Sequence, residues 1–324
     1  MSDWTEDLKE IPLYTLPYVI YAELAADLIA PIGNLYFLFL LRRPFVHLNL
    51  RILLAQFSVT LILYAFSRST LIIDSMFSFL PLLNEYVIKI LDSLFVYTIM
   101  NSTVCISCER VVATVLADKY EKFKGYWLTV LSMLFMIAVN GTLSYFVHTN
   151  LGDKTKTRPG TLTCAVENDR VLIALTCFII MNLFGLLVFL LIGRYNQRRW
   201  KSALRRKLSY KYQVVENIRT AKQFLIILLA AFALYDDCIR MAYILIADDK
   251  TYVTNILVQL FNLMFAILAI LLPCLFIKTH PRMWATAKRH FLRKKKITDI
   301  WSRSKSAVIE EANVYFSQLE KSWK

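Results

Sequence analysis

The fold of this chain is decided by the stretch NEYVIKILDSLFVYTIMNSTVCISCERVVATVL, residues 84–116. The stretch is mostly apolar and longer than the ~20 residues with which a helix crosses a ~30 Å hydrocarbon core. It nevertheless holds the adjacent acid–base pair Glu109-Arg110. An unpaired charge at the bilayer centre costs about 2.5–3.5 kcal/mol even on the gentler scales. An ionisable pair in such a helix is therefore a functional hypothesis, and its surroundings decide what it does.

Apolar runs of similar length recur along the whole chain. Of its 324 residues, 57% are hydrophobic and 19% are charged, against about 25% charged in an average soluble protein. We predict an all-α integral membrane domain over residues 17–277, a bundle of seven transmembrane helices with no separate soluble domain. The spans are expected near 17–41, 48–73, 84–116, 124–147, 169–193, 220–246 and 252–277. Pro31 and Pro273 fall inside the first and seventh spans and should kink them.

Lys and Arg residues lie mainly in alternate connections. The first, third and fifth connections and the segment after residue 277 hold most of the 38 basic residues, and basic residues mark the cytoplasmic side of a membrane. We therefore predict an extracellular N-terminus over residues 1–16, a cytoplasmic C-terminus, and Glu109-Arg110 at the cytoplasmic end of the third span. The net charge of +14 is mostly this asymmetry. It favours contact with the lipid bilayer or an acidic protein and disfavours nucleic acid.

Basic and apolar residues alternate after the last span. Between residues 278 and 296 the apolar residues include Met283, Trp284 and Ala287. This pattern predicts a short amphipathic helix on the inner leaflet, followed by a cytoplasmic tail over residues 297–324. The six cysteines show neither metal nor disulfide spacing, so that we predict no metal, no cofactor and no disulfide framework.

Charges within several spans reach a common depth in the outer third of the predicted bundle, with Glu23 and Asp27 at a similar level in the first. Facing lipid, each would cost several kcal/mol, so they should face the interior, with Lys89 paired to Asp92 and Asp236 to Arg240. Such a group is typical of a pocket for a small polar or amphiphilic molecule; a structural ion-pair network without a ligand is the alternative. The candidate ligand-binding residues are Arg68, Tyr86, Lys89, Asp92, Tyr97, Tyr235, Asp236, Asp237, Arg240, Tyr243, Gln259 and Asn262.

Three stretches together resemble one receptor family. They are CERVVAT at 108–114 running on to DKYE at 118–121, LSYKYQVVENIR at 208–219, and KRHF at 288–291. They are similar to the nematode serpentine receptor class epsilon (Sre) chemoreceptors of the Sra-like group, over about residues 45–293. The resemblance implies a seven-helix G-protein-coupled receptor in the plasma membrane of sensory neurons. Its partners would be a small-molecule ligand and a heterotrimeric G protein.

The resemblance also implies roles for the acid–base pair. In that family Glu109 would hold Arg110 at rest, and Arg110 would turn to the G protein on activation. The basic third cytoplasmic loop offers a docking surface for an acidic protein face, although topology and lipid contact also explain its charge. The candidate coupling residues are Glu109, Arg110, Tyr120, Glu121, Arg205, Arg206, Gln213, Glu216, Asn217 and Arg219.

The chain departs from the wider receptor superfamily at three points. The outer end of the third span has no Cys to pair with Cys164. The third residue of the acid–Arg motif is Val111 instead of an aromatic residue. The stretch LPCLF at 272–276 keeps Pro273 but lacks the usual neighbouring Asn and Tyr.

Two other functional classes remain open. A transporter or channel for small solutes or ions would use membrane carboxylates such as Asp92, but the chain shows no internal repeat with paired broken helices. An intramembrane enzyme is disfavoured, because Tyr235-Asp236 lacks the Gly-x-Gly-Asp partner of an aspartyl protease. We therefore expect no enzymatic activity.

Overall fold

Every regular element in the described part of the chain is an α-helix. The structure, a computed structural model, describes residues 17–116, 126–148, 168–203, 252–291 and, between 214 and 225, residues 214, 215, 217, 218, 220–222, 224 and 225. The helices are α1 (Pro17–Leu41), α2 (Leu48–Phe77), α3 (Leu82–Val115), α4 (Tyr126–His148), α5 (Asn168–Ala203), α6 (Tyr252–Thr279) and α7 (Pro281–Phe291). The described residues between 214 and 225 are also helical; we call them the 214–225 segment.

Six of these helices, α1 to α6, are long and apolar enough to cross a membrane. They correspond to the predicted spans one to five and seven, and no strand occurs among the described residues. The prediction of a helical membrane protein is confirmed to this extent. Most of the predicted sixth span, residues 220–246, lies outside the described residues.

Two helices, α2 and α5, continue four or more residues beyond the predicted ends of their spans. Helix α5 runs to Ala203 instead of residue 193, which places Arg198 and Arg199 on the helix and corrects their assignment to a loop. The extension contains no Gly or Pro after Gly193 and is rich in good helix formers, and the Arg199 guanidinium lies 5.0 Å from the Tyr195 ring centroid. Hydropathy marks where lipid contact ends, and this helix continues past that point.

Helix α2 ends four residues later than predicted, at Phe77. Its C-cap residue, Ser78, has φ 48°, in the left-handed region, and donates its backbone N–H to Asp74. The Asp74 carboxylate in turn accepts the backbone N–H of Leu80 at 2.7 Å. This turn closes α2 and delivers Pro81 as the N-cap of α3.

Helix α4 has the inverse of the pattern expected for a soluble protein. Its buried residues include Asn140, Ser144 and His148, whereas large apolar side chains such as Trp127 and Phe135 are exposed. An exposed apolar surface of this kind would be costly in water and is favourable against lipid tails. The polar residues face neighbouring helices because lipid offers them no hydrogen-bond partners.

Polar side chains join the helices inside the bundle. Asn34 of α1 donates to the Ala269 carbonyl of α6 at 2.9 Å and accepts from the Ser58 hydroxyl of α2 at 3.2 Å. Asn101 of α3 donates to Asn140 of α4 at 2.6 Å. Such bonds contribute about 0.6 kcal/mol on average, and at most about 1.7 kcal/mol, in a membrane protein. Their main effect is to fix which faces of the helices meet.

Helix α7 belongs to a separate unit that begins at Ile277. His280 precedes this helix, and its Nδ1 accepts the backbone N–H of Met283 at 3.3 Å. Met283 is buried, whereas Arg282 and Lys288 are exposed, and the Lys288 ammonium lies 5.3 Å from the Trp284 ring centroid. A helix with an apolar and a basic face is thus present from Pro281 to Phe291; the rest of the predicted 278–296 stretch after Phe291 lies outside the described residues.

Replacing the Asn34 amide tests the internal polar contacts. Asn34→Leu removes the donor to Ala269 and the acceptor of Ser58, and we expect a loss of about 1–3 kcal/mol in the free energy of unfolding because buried groups lose their partners. Thermal unfolding of the detergent-purified protein measures the loss. Leu35→Ala, at the next position, where the side chain is exposed, is the control and should cost about 0.5 kcal/mol or less. Equal losses in both variants would contradict the role given to Asn34.

Candidate functional site

Arg110 is the largest fully buried side chain in the described structure, with an exposed fraction of 1%. It lies near the end of α3, and its Nη2 donates to Glu109 Oε1 at 2.6 Å while its Nε donates to Glu109 Oε2. Two parallel bonds between a guanidinium and a carboxylate give the strongest and most directional ion pair that side chains form. Glu109 and Arg110 are thus bound to each other in this structure, and the role of the pair in a resting state stays a prediction.

A third bond joins Arg110 to the 214–225 segment. Its Nη1 donates to the Asn217 Oδ1 at 3.3 Å. Asn217 is completely buried, and its amide nitrogen donates to the Thr114 hydroxyl at 3.4 Å. A single neutral amide therefore bridges two residues of α3 that lie one helical turn apart.

Helix α5 joins the same site through Thr114. Asn196 donates to the Thr114 hydroxyl at 3.1 Å, and Arg199 Nη1 donates to the Thr114 backbone carbonyl at 3.4 Å. We call Glu109, Arg110, Thr114, Asn196, Arg199 and Asn217 the Arg110 network. It connects α3, α5 and the 214–225 segment at one end of the bundle.

Aromatic rings pack beside the 214–225 segment. The Phe224 ring stacks on Phe189 of α5 with centroids 5.3 Å apart and meets Phe276 of α6 edge-on at 5.4 Å. Phe276 also stacks on Phe37 of α1 at 5.5 Å. Because Phe276 stands three residues after Pro273, it occupies the place of the Tyr that the seventh-span motif lacks.

Charged residues form a second buried group farther along α1, α2 and α3. Arg68 Nε and Glu23 Oε1 form an ion pair at 2.6 Å with almost no exposure on either side. The Ser67 hydroxyl donates to Asp92 Oδ1 at 2.9 Å, and Asp27, one turn after Glu23, is 1% exposed. We call Glu23, Asp27, Arg68 and Asp92 the acidic cluster.

The remaining candidate ligand residues on α3 face other neighbours. The Tyr86 hydroxyl donates to the His148 carbonyl of α4 at 3.3 Å. Lys89 forms an ion pair at 2.6 Å with Glu85, four residues before it. The predicted pairing of Lys89 with Asp92, three residues after it, is therefore wrong, and Asp92 accepts from Ser67. Tyr97 packs on Phe178 of α5 with centroids 4.9 Å apart. The structure thus gathers Arg68 and Asp92 in the acidic cluster and sets Tyr86, Lys89 and Tyr97 against α4 and α5.

Two of the remaining candidates lie on α6, and the others lie outside the described residues. Gln259 is buried and Asn262 partly buried on α6. The candidate ligand residues Tyr235, Asp236, Asp237, Arg240 and Tyr243, with the predicted Asp236–Arg240 pair, lie outside the described residues. So do the candidate coupling residues Tyr120, Glu121, Arg205, Arg206, Gln213, Glu216 and Arg219.

The candidate sets omit Thr114 and Asn196, although both belong to the Arg110 network. Thr114 follows Arg110 by four residues, so that the two share one face of α3, and Asn196 is an amide residue at the end of an apolar run. These two signals were available in the sequence. Within the described ranges, no group of three His, Cys, Asp or Glu side chains is placed to hold a metal ion.

The six long apolar helices define a helical, multi-pass membrane protein. The family model described as "Sre G protein-coupled chemoreceptor" matches residues 158–324, which include α5, the 214–225 segment, α6 and α7. The chain belongs to the Sre family of G-protein-coupled chemoreceptors, as its resemblance predicts. No curated protein matches the chain.

The charge balance of the acidic cluster gives a test by substitution. Arg68→Gln leaves three carboxylates without their cation, and we expect a loss of about 3–5 kcal/mol in the free energy of unfolding, the range for breaking a buried pair. Glu23→Gln should cost clearly less, because Asp27 and Asp92 still lie close to Arg68 and the excess negative charge falls. Thermal unfolding of the purified variants measures both.

Glu85→Gln is the control for a carboxylate in a more exposed pair, since the side chains of Glu85 and Lys89 are each 17% exposed; it should cost about 1 kcal/mol or less. If Glu23→Gln destabilised the protein as much as Arg68→Gln, the cluster would hold no excess of negative charge.

Proposed function

We propose that this chain is a chemosensory receptor of the plasma membrane of sensory neurons. It binds a small extracellular ligand in the outer half of the bundle and activates a heterotrimeric G protein at the cytoplasmic face. The observation that carries the proposal is the setting of Arg110, buried between the Glu109 carboxylate and the Asn217 amide. Membership of a G-protein-coupled chemoreceptor family supports it.

The distribution of basic residues supports the orientation. Arg42 and Arg43 follow α1, and Arg198 and Arg199 lie near the end of α5, at the same end of the bundle as Arg110. Basic residues within ~15–20 positions of a span set its orientation toward the cytoplasm. The Arg110 network would then face the compartment in which G proteins reside.

The contacts of Arg110 with Glu109 and with Asn217 differ in strength. A bidentate bond to a carboxylate is charge-assisted on both partners, whereas the bond to Asn217 has a neutral acceptor and a longer distance. Separation of the 214–225 segment from α3 would break the weaker contact and leave the Glu109 pair intact. Arg110 would then border a cleft between helices, available to a G-protein segment that offers carbonyl or carboxylate acceptors.

Thr114 determines which helix moves in this scheme. Asn196 and Arg199 bind Thr114 from α5 without help from Asn217. Loss of the Asn217 contacts would therefore free the 214–225 segment while α3 and α5 stay joined. The ring of Phe224 would slide against Phe276 in the same movement, so that packing takes the place of the hydroxyl that the seventh-span motif lacks.

The proposed ligand site lies between the helices that carry the acidic cluster and the tyrosines of α3. The buried charges of α1 and α2 and the hydroxyl of Tyr86 are suited to a polar or amphiphilic compound. Their contacts with different neighbours mean that a ligand would touch some of the candidates directly and others through intervening side chains.

Removal of the Arg110 guanidinium tests coupling. Arg110→Ala should abolish receptor-stimulated nucleotide exchange on Gα in membranes, because the proposed contact group is lost, while surface expression is retained. Exchange is measured with and without a library of small molecules. The control is Arg194→Ala, which removes an exposed guanidinium of α5 and should leave exchange within about twofold, as expected for a surface substitution. Wild-type exchange by Arg110→Ala would overturn the coupling role.

Substitution of Asn217 tests the resting contact. Asn217→Glu gives Arg110 a second carboxylate and should lower basal nucleotide exchange, because the closed arrangement gains a charge-assisted bond. Asn217→Ala should raise basal exchange, by about fivefold for a bond of about 1 kcal/mol. The two variants should move basal exchange in opposite directions at equal expression; the same direction for both would refute the role of this contact.

A further inference from the structure

Asp27 is a buried carboxylate that the proposed coupling does not use. It is 1% exposed, and neither of its oxygens has a hydrogen-bond partner among the residues that the structure describes. Buried charges in proteins are paired, and a buried carboxylate without hydrogen bonds is far more costly than a neutral one. The position therefore calls for a positive charge from another source.

The groups around Asp27 carry more negative than positive charge. Glu23 precedes it by one turn on the same face of α1, Arg68 and Tyr64 approach from α2, and Asp92 approaches from α3. Arg68 is the one cation of the acidic cluster, and it is already paired with Glu23. Three carboxylates beside one guanidinium leave the cluster negative.

Helix α6 does not supply the missing cation. It packs on α1 through the bond from Asn34 to Ala269, and on α2 through the Tyr64 and Phe265 rings, whose centroids lie 5.9 Å apart. Its sequence from Tyr252 to Thr279 holds no acidic or basic residue before Lys278. The nearest described cation on α3, Lys89, is paired with Glu85.

We propose that Asp27, with its neighbours in the acidic cluster, binds a small monovalent cation from the aqueous phase, either a proton or a sodium ion. One positive charge at this carboxylate removes the cost of burying it and leaves the Glu23–Arg68 pair undisturbed. Because the cluster joins α1, α2 and α3, the bound cation stabilises their packing.

Stability measurements on the full-length protein in nanodiscs test this site without reference to a G protein. Unfolding midpoints are compared in sodium chloride and in N-methyl-D-glucamine chloride at equal ionic strength, and then across pH at fixed salt. A bound sodium ion predicts a saturable rise of the midpoint with sodium. At ten times its dissociation constant the ratio of folded to unfolded protein rises about elevenfold.

A bound proton predicts a different dependence. The folded protein then holds a proton that the unfolded chain releases, so that stability is greatest at low pH and falls as the pH rises, with sodium and N-methyl-D-glucamine equivalent. Either dependence should be lost in Asp27→Asn, which keeps the shape of the side chain and removes its charge. Glu85→Gln is the control and should retain it.

Asp27→Ala serves as a second variant if the amide itself alters folding, because it also removes the carboxylate. The proposal is overturned if Asp27→Asn and Asp27→Ala respond to sodium and to pH as the wild-type protein does. It is equally overturned if the wild-type midpoint depends on neither cation.

Discussion

Every polar group inside this bundle has to find its partner there, because lipid tails offer none. This constraint explains why α4 exposes Trp127 and buries Asn140, and why Asn34 bonds to two other helices at once. It also explains Arg110: a guanidinium at 1% exposure is tolerated because Glu109 and Asn217 satisfy its donors. These bonds stabilise the buried charge. In the proposed coupling Arg110 exchanges the weaker one, to Asn217, for a contact with the G protein.

The two buried charged groups of the structure differ in balance. In the Arg110 network the Glu109 carboxylate pairs with the Arg110 guanidinium, and Asn196, Arg199 and Asn217 supply the remaining bonds. In the acidic cluster three carboxylates share Arg68, and Asp27 stands without a hydrogen-bond partner. A balanced pair with one weak contact suits a mechanical release, whereas an unbalanced cluster suits the binding of a cation. We therefore propose different roles for the two groups within one bundle.

Much of the fold could be predicted because hydropathy and helix breakers act locally: the starts of α2 at Leu48 and α6 at Tyr252 match the expected ones. The extension of α5 to Ala203 could not be read in this way, since a basic helix beyond the membrane carries no apolar signal. The partners of individual side chains are even less predictable from the sequence. Lys89 has an acid at both i−4 and i+3, and the partner depends on which face of α3 meets α4. Asn196 reaches Thr114 only because α5 is rotated toward α3, a property that no single span encodes.

The proposed coupling requires separation of the 214–225 segment from α3. Spin labels at two exposed positions, Val111 of α3 and Lys222 of the segment, report the distance between them by double electron–electron resonance in a cysteine-free background. The distance should lengthen when nucleotide-free G protein is bound and return when the guanine nucleotide is added. An unchanged distance, with nucleotide exchange intact, would contradict release of Arg110 from Asn217 as the coupling step.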